Sequence, residues 1–536
     1  MTKPFKNFLK AIGILFIIFI IVFVIIANIG RSITINLDFT ESSLTMEQRI
    51  EDFEQLCDTL ENGLPQLKMY DSKYEWNYES RKNTTLESIR NCTDDYEYYC
   101  IIRNFFKDIP SIHTNLAFLD SNSYLYNYFG YNTEYLLDAE INYHEAAAYW
   151  KELIKTERKK YLDCEHILFG YSDGDYYIIS SDGKQYETEL YIVNSINNIS
   201  VNDYVINNSF AGKLFYDKEN NCLFRQEFML NTKYGEPVMV EMTDKNGKAV
   251  KKEFFYSILA ENAYISGQYC KDTDSNETSD TSENTGMPES FYKYADKDTA
   301  YFNISSFRGT DGMLLKKSLA EASECKNIII DVRGNSGGTV QYYIDYVFSE
   351  LYAYNFSFEI KRYMYKNKYT DHILEFNFDS IFDIEQIDKK LYSVTEYYDA
   401  KCRSGEMQNI YILTDYTTCS AADSFAKIIQ ENDVGLIIGS NTGGEGATGS
   451  FYSAFLKNSG LFFTYNFSFT DESGENDNSI VGTVPNIYSA VTAENMVKAS
   501  QIIENGENPY TYENRLKWDD VLIKTLELIK EKENTK

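Results

Sequence analysis

Proline is scarce in this chain, 7 of 536 residues, and histidine is scarcer still at 4. So little proline excludes a proline-rich spacer architecture. So few histidines leave a short roll of imidazoles for acid–base or metal chemistry. Positive charge is also lacking: 51 Lys and Arg face 81 Asp and Glu, a net charge of −30. No Lys/Arg stripe offsets this, so the surface repels phosphate backbones and nucleic acid is not expected as a partner. The nine cysteines are Cys57, Cys92, Cys100, Cys164, Cys222, Cys270, Cys325, Cys402 and Cys419. Their number is odd and no C-x-x-C pair with a histidine companion occurs, so no zinc site is expected, and no other metal or cofactor is implied. Cys92 and Cys100 form the nearest pair, and their joining in a disulfide stays open. Neither a Walker loop nor a G-x-G-x-x-G element occurs, which argues against nucleotide binding.

What is present is the composition of a folded protein. Hydrophobic residues make up 43% and charged residues 25%, enough apolar content to offset the entropy of ordering. At about 150 residues per domain the length predicts three or four domains. The 46 tyrosines invite a carbohydrate-binding reading, but core packing and compositional bias account for them more simply.

One long apolar run exists. Residues 11–29, AIGILFIIFIIVFVIIANI, carry no charge and are about long enough as a helix to cross a hydrocarbon layer of about 30 Å. Lys3, Lys6 and Lys10 precede it, and acidic residues dominate after Arg31. The expectation is a single uncleaved membrane anchor, with the lysines cytoplasmic and the body exported. The run is long for a signal peptide and lacks an A-x-A-like exit.

Beyond the anchor, apolar residues from about Thr45 to Glu157 recur at helical spacing, as in MEQRIEDFEQLCDTLEN, and predict a helical domain over 42–165. From Ile167 to Tyr256 short alternating segments take over, including a strand pair around a Lys-Asn-Gly turn in EPVMVEMTDKNGKAVKKEFFY. These predict a small β-rich module over 166–270. Residues 271–290, KDTDSNETSDTSENTGMPES, hold almost nothing apolar and predict a linker, bounded at 293. From 294 to 500 apolar strands alternate with helical stretches near Met313–Glu324, Gln341–Tyr352 and Ser420 onward, the pattern of a layered α/β core. A closing segment, 501–536, contains an amphipathic helix from Trp518 to Lys532.

Two segments could carry chemistry. In NIIIDVRGNSGG, residues 327–338, an apolar strand runs into Asp331 and Arg333 and then a glycine-rich turn. Such a turn lets backbone N–H groups converge on an oxyanion or a phosphate. In NIYILTDYTTCSAADSFAKIIQEN a strand ends near Asp415 and a helix begins at Ser420. Ser420 as an N-cap is the commoner use of such a residue. Alternatively its Oγ lies beside the positive end of the helix dipole, with the Ala421 N–H and an N–H of Gly337 or Gly338 holding an oxyanion.

The succession AYFNISSF, NIIIDVRGNSGG, YILTDYTTCSAADSFA, VGLIIGSNTGGEG and VGTVPNI resembles the serine peptidases of the carboxyl-terminal processing (tail-specific) and tricorn core protease family, peptidase family S41, over about 297–490. SIHTNLAF at 111–118 resembles that family's helical-domain His-Thr segment. SINNISVNDYV at 195–205 is similar to the middle of its PDZ-like module, which would make the β-rich module a degenerate PDZ domain. The resemblance implies a crotonase/ClpP-like core and hydrolysis of a peptide or protein substrate. Where the processing proteases place a lysine in a Gly-Lys-Gly turn, this chain reads Gly444-Glu445-Gly446, so a Ser-Lys dyad is excluded there. The tricorn-like scheme remains, with Ser420 as nucleophile and His113 as base. His144, His166 and His372 lie outside recognisable motifs. The family's orienting acid precedes its G-x-x-P segment, where this chain has Ser479. Glu475, Asp477 and Glu445 are the substitutes. The competing expectation is a surface scaffold that keeps the peptidase fold without turnover.

Overall fold

The computed structural model describes residues 34–35, 44–74, 76–117, 141–159, 168–180, 190–208, 213–229, 237–255, 291–294, 297–309, 311–366, 383–446, 451–471 and 478–534. The predicted anchor at 11–29, the linker at 271–290, Glu475, Asp477, His166, His372 and the side chain of His144 lie outside the described residues. Among the described residues no helix is long and apolar enough to cross a membrane.

The predicted α/β alternation builds a six-stranded sheet. Its strands, in spatial order, are Phe291–Tyr294, Thr299–Asn303, Asn327–Asp331, Asn409–Thr414, Leu436–Gly439 and Ile487–Tyr488. The first pairs antiparallel and the rest are parallel. A parallel sheet must be covered on both faces, so its strands read as continuous apolar runs rather than alternating ones. NIIID and NIYIL do so because alternate side chains enter two different cores. Phe302, Ile328, Ile330, Ile410 and Ile412 meet Leu319, Tyr343 and Phe425 from the helices Gly312–Glu321, Val340–Tyr346 and Ala421–Glu431. Tyr301, Ile329, Tyr411, Leu413 and Ile438 meet Val521, Leu522 and Ile529 of the helix Asp520–Asn534. The result is a three-layer sandwich, in which each fully buried side chain of this size contributes about 1.5–3 kcal/mol.

The predicted helices of the N-terminal region appear as Met46–Gly63, Gln66–Tyr74, Tyr78–Asn91, Asp95–Lys107 and Tyr143–Lys159. Thr45 caps the first with a reciprocal Gln48 contact, satisfying otherwise orphan backbone donors. Their apolar faces do not close on one another alone. The hairpin Phe451–Phe455/Phe462–Asn466 inserts Phe455, Phe462, Phe463 and Tyr465 into the same core. The strand Asn115–Ala117, just after His113, pairs antiparallel with that hairpin. Residues more than 300 positions apart thus share one interior.

The β-rich region forms an antiparallel sheet in the order Glu227–Met229, Leu168–Ser172, Asp175–Ser180, Tyr191–Ile196, Pro237–Asp244, Ala249–Phe255, with the short strand Ile199–Ser200 beside Tyr191–Ile196. The last two long strands are joined at the predicted Lys-Asn-Gly turn. A helix, Val201–Asn208, and a separate hairpin, Leu214–Asp217/Cys222–Arg225, lie in the chain between the strands Ile199–Ser200 and Glu227–Met229. Phe224 of the hairpin packs edge-on against Tyr416 of the sandwich, with ring centroids 4.4 Å apart. A four-stranded antiparallel sheet built on the long pair Phe356–Tyr365/Leu391–Ala400 extends the sandwich. Cys92 and Cys100 are not joined: both are free thiols, and Cys92 Sγ accepts a hydrogen bond from Arg49.

Candidate active site

The strand Asn409–Thr414 delivers the chain to a tight turn at Asp415, whose carboxylate accepts from the Thr417 N–H and hydroxyl at 2.9 and 2.5 Å. This turn places Ser420 at the mouth of the helix Ala421–Glu431. Ser420 occupies the N-cap position without capping the helix. Its φ of +55° and ψ of −127° are outside the usual cap geometry, and its side chain makes no capping hydrogen bond. Such a conformation in a residue with a Cβ costs about 1–3 kcal/mol and persists only when the surroundings enforce it. They do so here: Ser420 N–H donates to Gly444 O at 2.9 Å, Cys419 N–H to Asn335 O at 3.0 Å, and Ser420 O accepts from Ser424 N–H at 3.0 Å.

The glycine-rich turn lies directly against Ser420. A Cβ on Gly337, whose φ is +105°, would stand 2.7 Å from Ser420 Cβ and 2.9 Å from Ala421 N. Only glycine permits that approach. The two glycines offered as oxyanion donors are not equivalent. The Gly337 N–H is already committed to Asn335 Oδ1 at 2.8 Å. The Gly338 and Ala421 N–H groups have no acceptor among the described residues. Asp331 and Arg333, the charged pair of the same motif, do not enter this space. Arg333 holds Asp331 and Asp519 by bonds of 2.6–2.9 Å, and Arg515 adds a further bond of 2.8 Å to Asp519. Burial opposes ionisation of Asp331, but Arg333 outweighs it and holds that carboxyl below the usual range.

His113 meets one of its three candidate acids. Its Nδ1 lies 2.5 Å from Glu445 Oε2, and the same oxygen accepts from the His113 backbone N–H at 2.9 Å. The Glu445 side chain is 0% exposed and that of His113 15%. Ring and carboxylate are thereby fixed in plane and register, with Nδ1 carrying the proton when the imidazole is neutral. The Glu445 turn is itself bound to the Ser420 segment, through Gly444 O to Ser420 and through Gly443 N–H to Thr418 O at 3.0 Å. One short turn therefore touches both Ser420 and the partner of His113. Ser479, the position that lacks the family's acid, is buried and sits 3.3 Å from Gln66 Nε2.

Two residues of the site were quoted inside motifs without a task. Asp423, the acid of Ser-Ala-Ala-Asp, is fully buried. Its Oδ1 accepts from Thr442 Oγ1 at 2.5 Å and Thr483 Oγ1 at 2.6 Å, and its Oδ2 from Gly446 N–H at 2.9 Å. Burial pushes its carboxyl up. It staples the far end of the Glu445 turn to the start of the helix Ala421–Glu431. Asn335 does the same for the glycine turn, donating from Nδ2 to Ile304 O at 2.9 Å while its own carbonyls hold Gly337 and Cys419. For Asn335 the signal was its type, a short polar side chain in a turn after an apolar strand; Asp423 stands in the first turn of its helix, where an acid reads only as a partner of the dipole. Among the described residues no cluster of His, Cys, Asp or Glu could hold a metal ion.

Residues 298–489 match the sequence model of Peptidase family S41, the family that the motif succession resembles. A crystal structure of a CPAF mutant is similar at a TM-score of 0.50 and 11% identity, covering 86% of this chain and 98% of that one; this is a likeness of fold. The photosystem II D1 C-terminal processing protease is 10% identical over 83% of this chain and 94% of its own, at a TM-score of 0.32. The tricorn protease is 14% identical over 83% of this chain and 34% of its own, at a TM-score of 0.29. No curated protein matches the chain.

Proposed function

We propose that the S41 domain of this chain is a serine endopeptidase or carboxyl-terminal processing peptidase that works through an acyl-enzyme, with Ser420, His113 and Glu445 as its triad. The observation that carries this reading is the 2.5 Å contact between His113 Nδ1 and Glu445 Oε2, made on the turn that hydrogen-bonds Ser420. In the reaction the His113 imidazole takes the Ser420 proton as Oγ bonds to the scissile carbonyl carbon. The negative charge that develops on the carbonyl oxygen is held by the Ala421 and Gly338 N–H groups, at the positive end of the helix Ala421–Glu431. The imidazolium then gives its proton to the leaving amine, the C–N bond breaks, and an ester on Ser420 remains. Water, deprotonated by the same ring, releases the acid product. Glu445 keeps the ring in one tautomer and offsets the charge it acquires.

The rest of the reading follows from the sequence. The apolar run at 11–29 anchors the chain in the cell membrane as a single pass, with the peptidase body extracytoplasmic. The sheet and helix of 168–255 act as a PDZ-like module, taking exposed carboxyl termini of substrates by strand addition. A purified full-length chain should label with a fluorophosphonate, and Ser420→Ala should abolish the label. Labelling that survives Ser420→Ala ends the proposal. A casein digest separates the peptidase from an inactive scaffold: label and cleavage together are expected, and label-free, cleavage-free protein would assign the scaffold.

A further inference from the structure

The loop that carries His113 begins where the helix Asp95–Lys107 stops, and a stopping helix leaves its last carbonyls without helical partners. Those carbonyls are taken up by the hairpin Leu214–Asp217/Cys222–Arg225 and the lysine that precedes it. Lys213 Nζ donates to Phe106 O at 2.9 Å, to Ile109 O at 3.4 Å and, by a still shorter contact, to Thr114 O. Arg225 donates to Lys107 O at 3.3 Å and to Asp108 Oδ1 at 2.5 Å. Arg81 takes the other oxygen of Asp108 at 3.0 Å. Two cations of one hairpin thus grip the loop on both sides of His113.

The opposite side of the hairpin reaches the Glu445 turn. Asn441 Nδ2 donates to Tyr216 O at 2.9 Å and to Val481 O at 3.0 Å. Phe215 packs beside Gly443, which leads into Gly444 and Glu445. The two halves of the His113–Glu445 contact therefore hang on one two-stranded piece from a part of the chain outside both. Lys213 resembles a replacement for the lysine missing from the Gly-Glu-Gly turn, and burial does push its amine down to about 7. Its hydrogen bonds are made to carbonyls, one for each N–H of an ammonium, so it serves geometry and not proton transfer from the nucleophile.

We propose that Lys213 and Arg225 are positioning residues: together with the hairpin they set the imidazole–carboxylate register. This rests on the peptidase reading above. A misplacement of about 1 Å in such a constellation costs about a hundredfold in rate. The experiment uses the full-length chain, with Lys213→Met and the charge-keeping Lys213→Arg. Fluorophosphonate inactivation is split into a limiting rate and a half-saturating probe concentration, across pH, and amide exchange is followed in parallel. In Lys213→Met the limiting rate should fall at least tenfold, with the half-saturating concentration within twofold. Exchange should rise across 109–114 and stay unchanged across 421–431. Lys213→Arg should recover part of the rate. A limiting rate within twofold of the parent overturns the proposal. So does a loss accompanied by equal exchange gains across 421–431, which marks general loosening. Should the parent chain fail to label, the peptidase reading falls alone, and the clamp stands or falls on whether exchange at 109–114 responds to the substitution.

Discussion

Two buried charge clusters lie near the glycine-rich turn, and they differ in the groups that compose them. On one side Asp331, Arg333, Arg515 and Asp519 satisfy one another with bonds of 2.6–2.9 Å, and Tyr301 adds a bond of 2.6 Å to Asp331. On the other, His113 and Glu445, 332 positions apart, meet through one ring nitrogen and one backbone N–H. A guanidinium surrounded by carboxylates stays charged at any ordinary pH and can only hold shape. The His113 imidazole instead faces the buried Glu445 carboxylate. The first cluster ties the C-terminal segment onto the sandwich; the second is the contact on which the proposed triad rests.

The comparison is tested first by Ser420→Ala. It should remove all fluorophosphonate labelling while thermal unfolding shifts little or upward, because a backbone strained at +55° keeps its hydrogen bonds. Loss of folding in that variant would break the distinction between the two clusters. Next, Glu445→Gln should slow labelling by about 10²–10⁴-fold, as expected when a positioned general base loses its orienting charge, with little change in unfolding. Asp519→Ala should behave oppositely. It leaves Arg333 and Arg515 buried without their shared carboxylate and should cost about 3–5 kcal/mol of stability in urea titration, with labelling per folded molecule unchanged. A labelling defect there would move the first cluster into the site.

The last expected effect concerns pH. Burial brings the Lys213 amine down to about 7; Arg225 presses the same way, and Glu445 and Asp108 oppose. In the unfolded chain a lysine titrates near about 10.4. Between these values the unfolded state binds more protons, so stability on this account should rise with pH from about 7 to about 10, by at most about 1.4 kcal/mol per unit. Lys213→Met should flatten that slope in urea midpoints taken across the window. An unchanged slope would show that Lys213 is not the group responsible.

Much of the sandwich was legible because its signals are local. NIIID, NIYIL and LIIG are short apolar runs between turn residues, and each became a parallel strand. The helix expected to reach Tyr352 ends at Tyr346 and gives way to a short 3₁₀ turn, Phe348–Glu350. The long pair Phe356–Tyr365/Leu391–Ala400 was not foreseen, since its pairing depends on partners far apart and not on any turn signal. In the candidate site, Ser420 was marked by its junction and motif, and Glu445 was named with Glu475 and Asp477 as an acid for His113, with no signal to rank it above them. A single acid between two glycines reads as a solvated turn; only tertiary burial, which removes its whole side chain from water, distinguishes it. Asp331 and Arg333 misled in the other direction, because charge beside a glycine-rich turn looks chemical until Asp519 is placed opposite.

The aromatic hairpin Phe451–Phe455/Phe462–Asn466 has a practical consequence for anyone cutting this molecule. An excised fragment spanning 298–489 would keep the nucleophile turn, yet strip Phe455, Phe462, Phe463 and Tyr465 of the helices that now cover them. That fragment would emerge from a ribosome sticky, without its imidazole, and prone to precipitate. The boundary drawn by sequence matching is therefore not a seam along which the protein can be taken apart.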